Sequence, residues 1–218
     1  MSWQLYREAG NPSRFGANGL EVRLYLSIGA LRKKADDAKE PVPCRSNIFN
    51  SFNDPSALVG TTQAYGVNDA DQIVGYYQDG AGNHGYLLSG GVFTTLNDPS
   101  ASGSNGTIAF GINASGFIVG GYGVGSITAH GFLYNPNNGT YTTIDDPLGV
   151  GRTTATGINA AGQIVGVYLD PMLVVHGFLR SADGNTYTPL DDPSATSGTT
   201  ALGINGAGQR RPPALPPT

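Results

Sequence analysis

The feature that most constrains this chain is an internal repeat of about 46 residues. Gly66-Val67-Asn68 returns as Gly111-Ile112-Asn113, Gly157-Ile158-Asn159 and Gly203-Ile204-Asn205, at steps of 45, 46 and 46 residues. Ile73-Val74-Gly75 returns as Ile118-Val119-Gly120 and Ile164-Val165-Gly166. His84-Gly85-Tyr86 becomes His130-Gly131-Phe132 and His176-Gly177-Phe178, so all 3 histidines of the chain are separated by 46 residues. Asp54-Pro55, Asp98-Pro99, Asp146-Pro147 and Asp192-Pro193 mark the joins between units.

Each unit is expected to form four short antiparallel strands. The first runs Thr61 to Val67, with counterparts ending at Ile112, Ile158 and Ile204. The second runs Gln72 to Tyr77, and the third starts at the histidine. The fourth is Val92 to Leu96 or Thr140 to Ile144, ended by the Asp-Pro step because proline cannot donate to a ladder. Between the first two strands, Asn113 to Gly116 and Asn159 to Gly162 read as tight turns, with Asn bonding backbone and Gly taking positive φ. Asp71 stands in for that glycine in the first copy and tolerates the same conformation.

Four strands in about 45 residues is the size of a β-propeller blade. The fold expected is therefore all-β, a partial β-propeller of four-stranded repeats, with a β-trefoil-like arrangement as the alternative. The repeat domain spans 51–209, with units near 52–96, 97–144 and 145–190 and a partial unit 191–209. Closure needs about 4 to 8 blades, so an arc of a larger propeller is expected. The flanks differ in composition. Residues 1–50 hold eight of the 12 basic residues and the one cysteine, Cys44, and read as a wrongly chosen start or an appendage, with a helix expected over 28–39. Residues 210–218 form a basic, proline-rich tail where the repeat calls for Ile-Val-Gly, as a shifted reading frame would produce.

Composition agrees with a turn-rich β protein: 33 glycines and 14 prolines in 218 residues are well above average, and charged residues are only 13%. From Phe52 to Gln209 the only cations besides histidine are Arg152 and Arg180, against eleven Asp. With net charge −4, that leaves no footprint for nucleic acid. No apolar run is long enough to span a bilayer. The Leu24–Leu31 stretch is rejected as a signal peptide because Arg32, Lys33 and Lys34 follow it. A lone cysteine makes no intramolecular disulfide.

The unit Gly-Ile-Asn-Ala-x-Gly-x-Ile-Val-Gly-x-Tyr, then His-Gly-Phe-Leu, then Thr-Thr-Ile-Asp-Asp-Pro, resembles the HAF family of bacterial extracellular repeats. That family is named for His-Ala-Phe; here the middle residue is Gly in all three copies. The resemblance covers Phe52 to Gln209. It implies a secreted or cell-surface protein with a propeller-like fold, and it brings no known reaction and no catalytic residues.

The functional expectation is a noncatalytic extracellular module for binding or display, with an unknown glycan or protein as partner and self-association through open blade edges. The alternative is an extracellular propeller hydrolase or lyase with its site in a central channel; a gene fragment without function is a third reading. His84, His130 and His176 are expected to make structural hydrogen bonds to a nearby Asp or loop carbonyl. A zinc triad would need all three to converge. Asn68, Asn113, Asn159 and Asn205, with Asp98, Asp146 and Asp192, are read as structural repeat positions. Asp145-Asp146 and Asp191-Asp192 point to opposite faces and so make no shared acid/base pair. Asn68 to Asp71 lacks the glycine and distal glutamate of a calcium loop. No cofactor or metal is expected. The loops 78–83, 123–129 and 169–175 vary between units, and variable loops commonly form the binding face of a repeated scaffold. Asp79, Asn83, Thr128, Asp170 and Met172 are the candidate binding residues there.

Overall fold

The structure, a computed structural model, describes residues 52–208 apart from Ser126 and Ile127. The basic leader, its expected helix, Cys44 and the 210–218 tail lie outside the described residues. Every regular element among the described residues is a strand, and the twelve strands form three antiparallel four-stranded sheets, each in sequence order. The first contains β1 (Gln63–Val67), β2 (Ile73–Gln78), β3 (Asn83–Ser89) and β4 (Val92–Leu96). The second contains β5 (Thr107–Ile112), β6 (Ile118–Val124), β7 (Thr128–Asn135) and β8 (Thr140–Ile144). The third contains β9 (Thr153–Ile158), β10 (Ile164–Leu169), β11 (Val175–Arg180) and the short β12 (Tyr187–Pro189). None of the three sheets closes on itself.

Expected boundaries shift, for local causes: the first strand begins at Gln63 rather than Thr61, because Thr61 donates to the Leu58 carbonyl and Thr62 accepts the Asp54 amide. The third strand of each unit begins before its histidine, at Asn83, Thr128 and Val175, so each imidazole sits inside the sheet opposite a tyrosine: His84 by Tyr77, His130 by Tyr122, His176 by Tyr168. The second strand begins at Ile73 rather than Gln72, whose N–H is held in the turn by Asn68 Oδ1 at 3.1 Å. Asp71 does adopt positive φ (57°), matching Gly116 and Gly162 at 80° and 82°. In the fourth, partial unit no strand forms among the described residues; Ile204 makes a single bridge.

The glycines of the repeated Ile-Val-Gly step are steric requirements. Gly120 pairs with Phe132 across β6 and β7, and a Cβ there would lie 2.1 Å from the Ile108 carbonyl oxygen and 2.6 Å from the Phe132 ring. Gly166 and Phe178 repeat this arrangement, at 2.2 and 2.6 Å. The aromatic ring thus occupies the space a Cβ would take. A bulge falls at the same register in each first strand, at Tyr65, Phe110 and Thr156. It brings the preceding carbonyl toward the glycine.

Sheets pack face against face, with β5 lying against β1, β2 and β3, and β9 against β5, β6 and β7. Val74, Leu96, Ala109, Ile112, Ile118, Tyr122 and Phe132 fill the first joint. Shifted by one unit, Val119, Ile144, Ala155, Ile158, Ile164, Tyr168 and Phe178 fill the second. Complete burial of Phe132 and Phe178 stabilises the stack by about 1.5–3 kcal/mol each.

Candidate functional site: a constant edge and a variable edge

The two ends of the sheets differ in chemistry. At one end, the turn asparagines tie each unit to the next. Asn68 Nδ2 donates to the Asn113 carbonyl at 3.0 Å, Asn113 to Asn159 at 3.2 Å, and Asn159 to Asn205 at 3.3 Å. The same side chains cap their own turns: Asn113 Oδ1 accepts from the Ser115 and Phe117 amides, both at 3.0 Å. Asn68, Asn113 and Asn159 are buried. This end is occupied with holding the array together.

The opposite end carries the Asp-Pro loops and the loops between second and third strands. Backbone bonds set them side by side within each unit, as in Leu58 N–H to Gln78 O and Val150 N–H to Leu169 O. Beneath them each histidine stacks on its tyrosine, with ring centroids 5.2, 5.3 and 5.1 Å apart in the three units.

The Asp-Asp pairs divide their work. Asp145 Oδ2 accepts from His130 Nδ1 at 2.9 Å and Asp191 Oδ2 from His176 Nδ1 at 3.0 Å, while Asn97 occupies that place beside His84 at 3.1 Å. The second members, Asp98, Asp146 and Asp192, instead receive Ser100, Leu148 and Ser194 amides on Oδ1 and give their own N–H to Thr107, Thr153 and Thr199 Oγ1. Burial pushes Asp146 above the ordinary carboxylate range. The partner of each histidine is therefore the first residue of the pair, and the second builds the turn between units.

Further contacts come from the variable loops. Asp79 Oδ1 accepts from His84 Nε2 at 3.0 Å, and Asp170 Oδ2 lies 3.4 Å from His176 Nε2. Hydrogen bonds from the Ala81 and Val174 amides respectively, with help from the histidines, hold Asp79 and Asp170 below the usual range. His176, carrying a carboxylate at each ring nitrogen, is raised above its ordinary value, chiefly by the hydrogen bond to Asp191. Among the described residues no three His, Cys, Asp or Glu side chains are grouped to hold a metal ion.

Of the five loop candidates, four brace the loops. Asp79 and Asp170 turn inward to histidine. Asn83 bonds Gln78 and the Asn105 carbonyl, and Thr128 Oγ1 donates to the Val124 carbonyl. Met172 is different, standing 83% exposed. Beside it an open cleft of about 520 Å³ is lined by Pro147, Leu148, Val150 and Pro171 above Tyr168, Asp170 and His176.

Sequence reasoning missed two repeated positions. Thr62, Thr107, Thr153 and Thr199 recur at steps of 45, 46 and 46 residues, and in each unit the hydroxyl accepts the Asp-Pro amide. Tyr77 and Tyr122 bond Thr95 and Thr143, but Pro189 takes the matching place in the third unit, where it pairs with Phe178. Both were available as spacings. No family model matches the chain, and no curated protein matches it.

Proposed function

We propose that this chain is an extracellular or cell-surface repeat module of the HAF type, its three meanders successive blades of a propeller-like arc, and that it binds or displays a partner without catalysing a reaction. The division between the two sheet ends carries this reading. One end repeats its Asn bridges from unit to unit, whereas the other mounts loops of different length and chemistry on a repeated His-Tyr base. Loops that vary over a repeated base are what recognition requires, although the loops between third and fourth strands at the asparagine end also vary in length. The partner class is an extracellular glycan or protein, and the open blade edges offer self-association. Against a propeller hydrolase or lyase, His84 and His176 have both ring nitrogens engaged and His130 has Nδ1 held by Asp145.

The test is loop replacement. Exchanging 79–82 and 170–174 for Gly-Ser linkers of equal length should abolish binding on glycan and secreted-protein arrays while leaving the far-ultraviolet circular dichroism unchanged. Binding that survives both replacements would move the site elsewhere and overturn the reading.

A further inference from the structure

The third unit is apolar on both loops where they meet, whereas the first carries exposed Leu58 and Val59 on its Asp-Pro loop alone. Leu148 and Val150 from the Asp-Pro loop, and Met172, Leu173 and Val174 from the loop between β10 and β11, are exposed by 60, 47, 83, 62 and 38%. Leu148 and Val150 line the cleft over Tyr168, Asp170 and His176 together with Pro147 and Pro171, and Met172, Leu173 and Val174 follow Pro171 in the adjoining loop. The corresponding loops of the first two units, Asp79 to Asn83 and Gly123 to Thr128, are mostly polar or glycine.

This patch is not simply waiting for the next unit. Where the first unit meets the second, the contact on its loop comes from Ser104, whose carbonyl accepts the Asn83 amide at 3.1 Å. The matching segment after the third unit is already in place, with the Thr199 amide bonded to the Val175 carbonyl at 2.9 Å, and the apolar side chains remain exposed. The loop is also held in a costly shape. Leu173 has φ +62°, a region leucine rarely adopts, and Asp170 fixes it by accepting both the Met172 and Val174 amides at 2.8 Å. Such strain collects where a surface has a task.

Resting on the binding-module reading above, we propose that this cleft is a docking site for a polypeptide segment that combines an aliphatic or aromatic anchor with a neighbouring lysine or arginine. Apolar walls select the anchor. Charge selects its neighbour: Asp145, Asp170 and Asp191 lie on this face, and from Phe52 to Gln209 the chain has eleven Asp against Arg152 and Arg180, the latter at the far end of β11. Arg152 borders the same face, so the cation is directed toward Asp191, whose side chain is 42% exposed beside His176, rather than across the whole rim. Glycans fit less well, because Tyr168 is only 3% exposed and offers no free ring for a sugar to stack on. Aliphatic side chains with an acidic rim match a peptide's anchors and charges.

Random peptides displayed on phage, selected against the full chain, provide the probe. Enriched peptides should pair an apolar residue with Lys or Arg. Their affinity should fall about tenfold or more in Met172→Ser and, independently, in Leu148→Ser, which lies outside the strained loop. It should weaken with added salt and be unchanged in Asp69→Asn, an exposed position in the turn between β1 and β2 at the opposite end. Failure to enrich any peptide, enrichment of acidic peptides, or indifference to both substitutions overturns the proposal. Binders, peptide or glycan, that respond instead to replacement of 79–82 would overturn it while leaving the loop-face reading intact; binders indifferent to both loops would overturn both.

Discussion

Replacing Asn113 by Asp and by Ala separates its two jobs. Asn113 is 7% exposed, and its Oδ1 caps the turn through the Ser115 and Phe117 amides while its Nδ2 donates to the Asn159 carbonyl of the next unit. Asn68 and Asn159 have a second acceptor for Nδ2, Gln72 and Gln163, but Phe117 stands at that position here. Asn113→Ala loses the cap, about 0.5–2 kcal/mol, and the bond between units, about 0.5–1.5 kcal/mol, so roughly 1–3.5 kcal/mol in all. Asn113→Asp keeps both turn bonds and turns the donor into an oxygen facing a carbonyl oxygen. That costs about 1–3 kcal/mol for a buried, unpaired group, and the contact raises the carboxyl's folded pKa above its unfolded value of ~3.9. The sign follows: below ~3.9 the carboxylic acid donates to Asn159 and the penalty vanishes, and stability falls as pH rises toward the raised folded value. In urea, with m near 2 kcal/mol/M, the Asp variant's midpoint at neutral pH should lie about 0.5–1.5 M below wild type and approach it in acid. An Asp variant as stable as wild type at neutral pH would refute the reasoning, because the donation between units would then contribute nothing.

Other tests use the repeat as its own control. The Tyr86 hydroxyl is fully buried without a hydrogen-bond partner among the described residues, whereas phenylalanine fills the same place in the other units, at Phe132 and Phe178; Tyr86→Phe should raise stability by about 1 kcal/mol, and a loss in thermal unfolding would show that the hydroxyl is satisfied. Gly166→Ala places a Cβ 2.2 Å from the Thr154 carbonyl oxygen and should cost about 3 kcal/mol or prevent folding, whereas Gly80→Ala, with nothing within 4 Å, should change the denaturation midpoint little. His176 should titrate above its ordinary value by NMR, and Asp191→Asn should lower that midpoint. The stability this ion pair adds is present below ~6.5 and is lost as pH rises through the His176 value; a midpoint unmoved by the Asp191 change would exclude that cause.

The repeat made the strand count and turn chemistry legible, because spacing records which positions share an environment. Asp71 could be assigned positive φ from its alignment with Gly116 and Gly162 alone. What stayed hidden were pairings between residues far apart in sequence. Nothing local says that Asp145 rather than Asp146 reaches His130, since that depends on how β7 and β8 align and which face each carboxylate takes. Nor does sequence alone explain the glycine of Ile-Val-Gly; its reason is the ring of Phe132 or Phe178, a strand away. The loops were legible as variable but not as braced, because Asp170 reads like a ligand until its oxygens are seen to be engaged by Met172, Val174 and His176.

The asparagine bridges have a direction: each unit gives a side chain forward and receives one on its backbone from behind. A joint of this heterologous kind cannot relate two units by a twofold axis; repeated at a constant rotation, it returns on itself as a ring or advances as a helix. Because every copy carries both halves of the joint, duplication or deletion of one whole unit leaves all remaining joints matched. Changing a single asparagine breaks one. The array can therefore change length more readily than it can change its seams.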